Sequence, residues 1–334
     1  MNTSADRRAN LVPQIQPTDW IGTDLVRPEC VLATAHGDIF TADWRGGVAH
    51  IGADGAQRLY TGSPVDGEAL KPNGIALLKD GAFLLAHLGA ERGGVYRLDR
   101  DGQTRPVLQT VDGVDLPPTN YVVEDRQGRF WITVSTRLTP RSLGYRKTCD
   151  DGFVVMMDAK GARIVADGLG YTNECVVDAA GEWLYVNETF TRRLSRFAIA
   201  ENGSLGTKQV VAEFGPGVFP DGLALDVEGG VWVVSIVSNS LIHVTPDGRQ
   251  TVHIQDVDPD HLAWVEAAYQ SSTMDRPHLD GVKSRHLKNI SSIAFAGPQL
   301  REAYLGCLLG QSILKIAMPV QGVAPTHWNY PGSV

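Results

Sequence analysis

In five places along the chain an acidic or amide residue stands eight residues before a glycine: Glu29 and Gly37, Asn73 and Gly81, Asn120 and Gly128, Asn173 and Gly181, Asp221 and Gly229. Each pair lies in a copy of one short pattern: PECVLATAHGDIF from Pro28, PNGIALLKDGAFL from Pro72, PTNYVVEDRQGRFW from Pro118, TNECVVDAAGEWLY from Thr172 and PDGLALDVEGGVWV from Pro220. SSIAFAGPQLREAYL, from Ser291, is a more diverged sixth copy. A constant step from a polar residue to a turn glycine implies one constant structural position per copy.

Every copy is an apolar run, a glycine turn, a second apolar or aromatic run, and a third run that closes on a turn such as GADG, RDGQ, AKGA, ENGS or PDGR. Short runs rich in Val, Ile, Leu, Phe and Trp and bounded by Asp-Gly or Asn-Gly are antiparallel strands joined by tight turns. Copies starting at residues 28, 72, 118, 172, 220 and 291 have the size of a four-stranded propeller blade. A solenoid of this period needs helical half-repeats or a leucine ladder, and residues 28–250 carry neither. The expected fold is all-β, a six-bladed β-propeller of four-stranded antiparallel blades, and residues 1–334 read as one such domain with no Pro/Ser-rich linker. Trp131, Trp183 and Trp232 recur on second strands and read as blade packing.

The formal charge is −8 and no Lys/Arg cluster occurs, which argues against nucleic acid or an anionic membrane surface and favours a small-molecule partner. MNTSADRRANLVPQ lacks the apolar core of an export signal, and no apolar run is long enough to span a membrane, so a cytoplasmic location is expected. Cys30, Cys149, Cys175 and Cys307 form no CxxC and read as reduced packing residues. The chain has no GxSxG elbow, no HExxH and no phosphate loop feeding a helix.

The first strand of a blade lines the central channel, so the repeated polar residues converge on one channel mouth. For any one of them, a turn residue bonding its own backbone is the plainer reading. The set is different, because Glu29 is not a turn residue and a cluster of Glu, Asp and three Asn is costly without a cation. Carboxylate and amide oxygens without histidine suit Ca²⁺ best, with Mn²⁺, Fe²⁺ and Zn²⁺ left open.

These strand starts, the eight-residue step, and above all FPDGLALDVEGGVWVV resemble the regucalcin (senescence marker protein) and gluconolactonase family of six-bladed propellers, over roughly residues 24 to 320. The resemblance implies one divalent ion at the channel mouth, held by Glu29, Asn173 and Asp221 with Asn120 nearby, and hydrolysis of a lactone. It also implies that Asp221 is both ligand and general base, with ion-activated water as the competing nucleophile. Two other functions stay open: a phosphotriesterase-like hydrolase and a non-catalytic calcium-binding propeller.

The departures from the family concern substrate. A family arginine two residues before the blade 3 asparagine is Pro118 here, Tyr121 follows Asn120, Cys30 follows Glu29, and Glu174 and Cys175 follow Asn173. A pocket without that arginine suits a less hydroxylated lactone, unless Arg137 or Arg141 replaces it. Two insertions, residues 135–152 and 256–288, should cover the mouth, and Leu262, Val265, Ala268 and Tyr269 recur at helical spacing in the second. That helix reads equally as a lid or as a homo-oligomer contact. Candidate substrate contacts are Asn73, Tyr121, Glu174, Arg137, Tyr145, His261, Trp264 and Ser291, with His278 and Arg141 beside them.

Overall fold

A computed structural model describes residues 20–65 and 67–332; the leading segment on which the absence of an export signal was judged lies outside them. Six four-stranded antiparallel sheets form a ring, each with its inner strand starting one sequence repeat. Those inner strands are Val31–Ala33, Pro72–Leu77, Thr119–Glu124, Thr172–Val177, Val218–Leu225 and Ile290–Ala296. Each contacts the next around the axis, and blade 6 meets blade 1. No helix among the described residues is long and apolar enough to cross a membrane.

Ring closure uses a strand too short for sequence periodicity to show. Trp20–Ile21 pairs antiparallel with Ile313–Ala317 and becomes the outermost strand of blade 6. The chain therefore supplies blade 6 from two segments far apart in sequence, which ties the ring shut.

The five repeated glycines all have φ between +76° and +87°, a region that side chains with a Cβ enter only with strain. That requirement explains their fixed place in the hairpin. Five residues after the repeated polar residue, Asp125 and Asp226 lock the same hairpins in blades 3 and 5. Asp226 accepts from the backbone N–H groups of Glu228 (2.9 Å) and Gly230 (2.8 Å), from Trp232 Nε1 (2.9 Å), and pairs with His243 Nε2 (3.0 Å). Asp125 likewise takes the Trp131 indole at 2.8 Å and the Arg129 guanidinium. Asp226→Ala would leave several buried donors without a partner, at roughly 1–3 kcal/mol each, so a loss of about 3 kcal/mol or more is expected in denaturant unfolding. A midpoint within error of wild type would contradict this role.

The second insertion folds as two helices, α1 (Pro259–Gln270) and α2 (Arg276–Asp280). Asp258 caps α1 by accepting from the His261 N–H at 2.7 Å. The expected helical face is nearly the buried one: Val265, Ala268 and Tyr269 are buried with His261, and Leu262 is half-buried. They pack on Phe190, Phe219, Tyr145 and Tyr171 of blades 3 to 5. Glu266 pairs with Arg192 at 2.6 Å, and Tyr269 donates to the Phe190 carbonyl at 2.6 Å, so α1 is bound to blade 4 at several points.

Candidate active site at the channel mouth

The repeated polar residues owe their direction to a backbone irregularity. In blades 2 to 6 the pairing of inner and second strand shifts register between Pro72 and Ile75, Thr119 and Tyr121, Thr172 and Cys175, Pro220 and Leu223, and Ile290 and Ser292. Asn73, Asn120, Asn173, Asp221 and Ser291 each lie within such a bulge, a device that re-aims a side chain out of the regular pleat. In blade 1 the ladder starts only at Val31, so Glu29 precedes it.

One cavity at the mouth is lined by Glu29, Asn120, Asn173 and Asp221 together. Its volume is about 30 Å³. That is the space of an ion or one to two waters. Tyr145, Tyr171, Phe190, Leu279 and Leu308 supply the walls.

All four polar residues are buried, with Asp221 3% and Glu29 5% exposed. Asn120 Nδ2 donates to Ser135 Oγ (3.1 Å) and Asn173 Nδ2 to Thr189 Oγ1 (2.8 Å). These bonds fix both amides and leave Asn120 Oδ1 and Asn173 Oδ1 buried without a partner. Glu29 Oε2 accepts from Arg27 Nε at 2.8 Å. Asn73 Oδ1 is also buried and unpartnered, but Asn73 does not line this cavity.

The other candidates divide. Tyr145 lines the mouth; Glu174 lies deeper in the channel, where its Oε2 accepts from the Leu223 N–H at 3.3 Å. Tyr121 lines a second, mainly apolar cavity of about 130 Å³ formed by later residues of the inner strands and the segment around His327. Among the described residues, the mouth cavity brings two carboxylates together with the unpartnered amide oxygens of Asn120 and Asn173, which the second cavity does not. Ser291 Oγ donates to the Glu29 carbonyl at 3.1 Å and so supports the blade 1 entry. His261 is buried in the first turn of α1, and Trp264 is 48% exposed and stacks on His278 at 4.1 Å between ring centroids. Neither lines the mouth cavity.

Of the two arginines offered as replacements, Arg137 turns outward into a bidentate pair with Asp167 (2.8 Å for each bond). Arg141 lines the cavity, carried there by a 3-10 turn, Arg141–Gly144. The premise for a less polar lactone, a pocket with no arginine, is thereby removed. Sequence reasoning passed over Arg27 and Arg276, which also line the cavity. Arg27 stands two residues before Glu29, a short-range charge pairing that was there to be seen; Arg276 comes from α2 and carried no signal.

Burial pushes the carboxyls of Asp221 and Glu174 well above the ordinary carboxylate range, and the Glu29 charge adds to both. A carboxyl that holds its proton more tightly folded than unfolded favours folding at low pH, and that contribution is lost as pH rises through the folded value. Glu174→Gln removes one such group while an amide oxygen can still accept from Leu223. It should therefore raise the melting temperature of chelator-treated protein more at about pH 8 than at about pH 5. The buried histidines with lowered values contribute equally to both proteins and cancel. An equal effect at the two pH values would contradict the assignment.

Residues 28–256 match the family model described as SMP-30/Gluconolactonase/LRE-like region. A 6-deoxy-6-sulfogluconolactonase of Pseudomonas putida is 30% identical over 185 residues, which cover 54% of this chain and 60% of that protein. Thus the match spans about three-fifths of the curated relative's length. Among solved structures, a gluconolactonase from Xanthomonas campestris superposes with a TM-score of 0.64 at 18% identity, covering 92% of this chain and 95% of that one. The calcium-binding protein regucalcin from Agrobacterium tumefaciens gives 0.63 at 14% identity, covering 91% and 96%. At such identities the two structures speak for the fold alone, whereas the family match covers five blade starts, from Glu29 to Asp221. The chain belongs to the SMP-30/gluconolactonase/LRE-like family.

Proposed function

We propose that this protein hydrolyses a lactone with the help of one divalent ion at the channel mouth. The observation that carries the reading is the pair of buried, unpartnered amide oxygens facing the same small cavity as two buried carboxylates. An unpaired buried acceptor costs roughly 1–3 kcal/mol, and a cation removes that cost at both asparagines at once. Glu29, Asn120, Asn173 and Asp221 would hold it. A donor set of oxygens alone suits Ca²⁺ and also Mn²⁺; Fe²⁺ and Zn²⁺ more often take nitrogen or sulfur as well. Among the described residues no three His, Cys, Asp or Glu side chains cluster, so the amide oxygens are indispensable to such a site.

When bound, the ion supplies a Lewis acid for the ester carbonyl and the charge that builds on its oxygen. The carboxylate of Asp221, kept ionised once a cation offsets its burial, would take a proton from the attacking water as the water oxygen bonds to the acyl carbon. The ring C–O bond then breaks, and the same proton passes from Asp221 to the leaving ring oxygen, giving the hydroxy acid and the original carboxylate. Asn120 and Asn173 keep their orientation through Ser135 and Thr189. Tyr145, Phe190 and Leu279 hold bulk water away from the floor of the funnel.

Sugar lactones, aliphatic lactones and phosphotriesters should be assayed with chelator-treated protein and with each ion restored. Ion-dependent opening of a lactone is expected. Turnover of phosphotriesters alone would favour the phosphotriesterase reading, and ion binding without any turnover would favour the calcium-binding one. The known activity of the Pseudomonas putida relative, a lactonase by name, supports the first outcome.

A further inference from the structure

Three guanidinium groups line the mouth against two carboxylates. Arg27 is committed: it pairs with Glu29 at 2.8 Å, and its guanidinium lies 4.3 Å over the Trp44 ring. Arg276 is paired at the rim with Asp280 at 2.6 Å. Arg141 differs from both, since among the described residues no carboxylate lies within ion-pairing distance of it. Its Nε donates to Tyr171 Oη at 2.7 Å, its Nη2 makes a long 3.4 Å bond to Ser135 Oγ, and its Nη1 has no partner there. A guanidinium offers five donors in a planar fork matched to carboxylate, sulfonate or phosphate oxygens.

Withdrawing a guanidinium from water without a counter-charge is costly, so a pocket that keeps one has a use for it. Glu29 and Asp221 act on Arg141 only at a distance, and on the reading above both are taken up by the ion. That leaves a net positive funnel above the ion. Arg141 is held by Tyr171, which itself packs on Tyr145 and Phe190, so the fork is fixed before a ligand arrives.

Resting on the lactone reading, we propose that the substrate is a lactone bearing an anionic group away from its ring ester, and that Arg141 receives that group. The class comprises lactones with a carboxylate, sulfonate or phosphate substituent. It reverses the expectation of a less polar substrate.

The test compares D-glucaro-1,4-lactone, which carries a carboxylate, with D-glucono-1,4-lactone, which carries a hydroxymethyl group in its place. Wild type should prefer the charged lactone at least tenfold in kcat/KM, and Arg141→Gln should lower that ratio tenfold to a hundredfold, the range of a charged hydrogen bond. Arg141→Lys should recover part of the ratio, because it restores charge without the fork. Circular dichroism and melting temperature establish that the variants fold. A wild-type preference for the neutral lactone overturns the inference, as does an equal fall for both lactones in Arg141→Gln. If neither lactone is hydrolysed, the lactone reading fails first, and calorimetric titration with glucarate and gluconate tests Arg141 independently. Tighter glucarate binding that is lost in Arg141→Gln supports anion recognition; equal binding of the two acids overturns it.

Discussion

Asp221→Asn is expected to slow lactone hydrolysis at least about a hundredfold while leaving the propeller folded, the loss typical of removing a positioned general base. The amide is nearly isosteric and keeps an oxygen toward the mouth, so the substitution tests proton transfer more than shape. Asp221 sits in a bulge whose flanks are paired at Pro220 with Ser235 and at Leu223 with Val233. Its own carbonyl accepts from Asn187 Nδ2 at 2.9 Å, so the backbone that aims it does not depend on its carboxylate. Circular dichroism unchanged from wild type, together with the slow rate, is the expected pair of results. A rate near wild type would assign proton abstraction elsewhere.

The second large effect concerns the ion. Glu29→Ala and Asp221→Ala each delete one of the two carboxylates at the mouth, and with it half of the negative charge available to balance a divalent ion. Even residues that touch metal ligands only from behind cost ten- to a hundredfold in affinity, so direct deletion should cost at least that. Metal content by elemental analysis after dialysis should fall from one equivalent to background in both variants. Glu29→Ala also releases Arg27, whose 2.8 Å pair with Glu29 is lost. A bare positive charge would then face the mouth and repel a cation further. Retention of a full equivalent in either variant would remove that residue from the site.

The blades were legible because each hairpin repeats two local requirements, a glycine at positive φ and alternating apolar runs long enough to show a period. The two-residue strand Trp20–Ile21 shows no period, and only its partner Ile313–Ala317 identifies it. The eight-residue step located Glu29, Asn120, Asn173 and Asp221 at one mouth, yet it could not reveal the register shifts that re-aim the last three, since a bulge is a relation between two strands. Arg141 and Arg276 were harder still. Both arrive on insertions whose paths are set by packing onto Tyr171, Phe190 and Phe219, side chains that belong to other blades. Trp264 shows the converse, an aromatic on a correctly read helix whose face is decided by contact with His278.

The central claim is that Glu29, Asn120, Asn173 and Asp221 together form a cation site, and anomalous diffraction from calcium-soaked crystals tests it most directly. The account predicts one strong peak at the channel mouth, with oxygens of all four residues at about 2.3–2.6 Å from it. A mouth without a peak under saturating calcium, or a peak bound only by other residues, would contradict it.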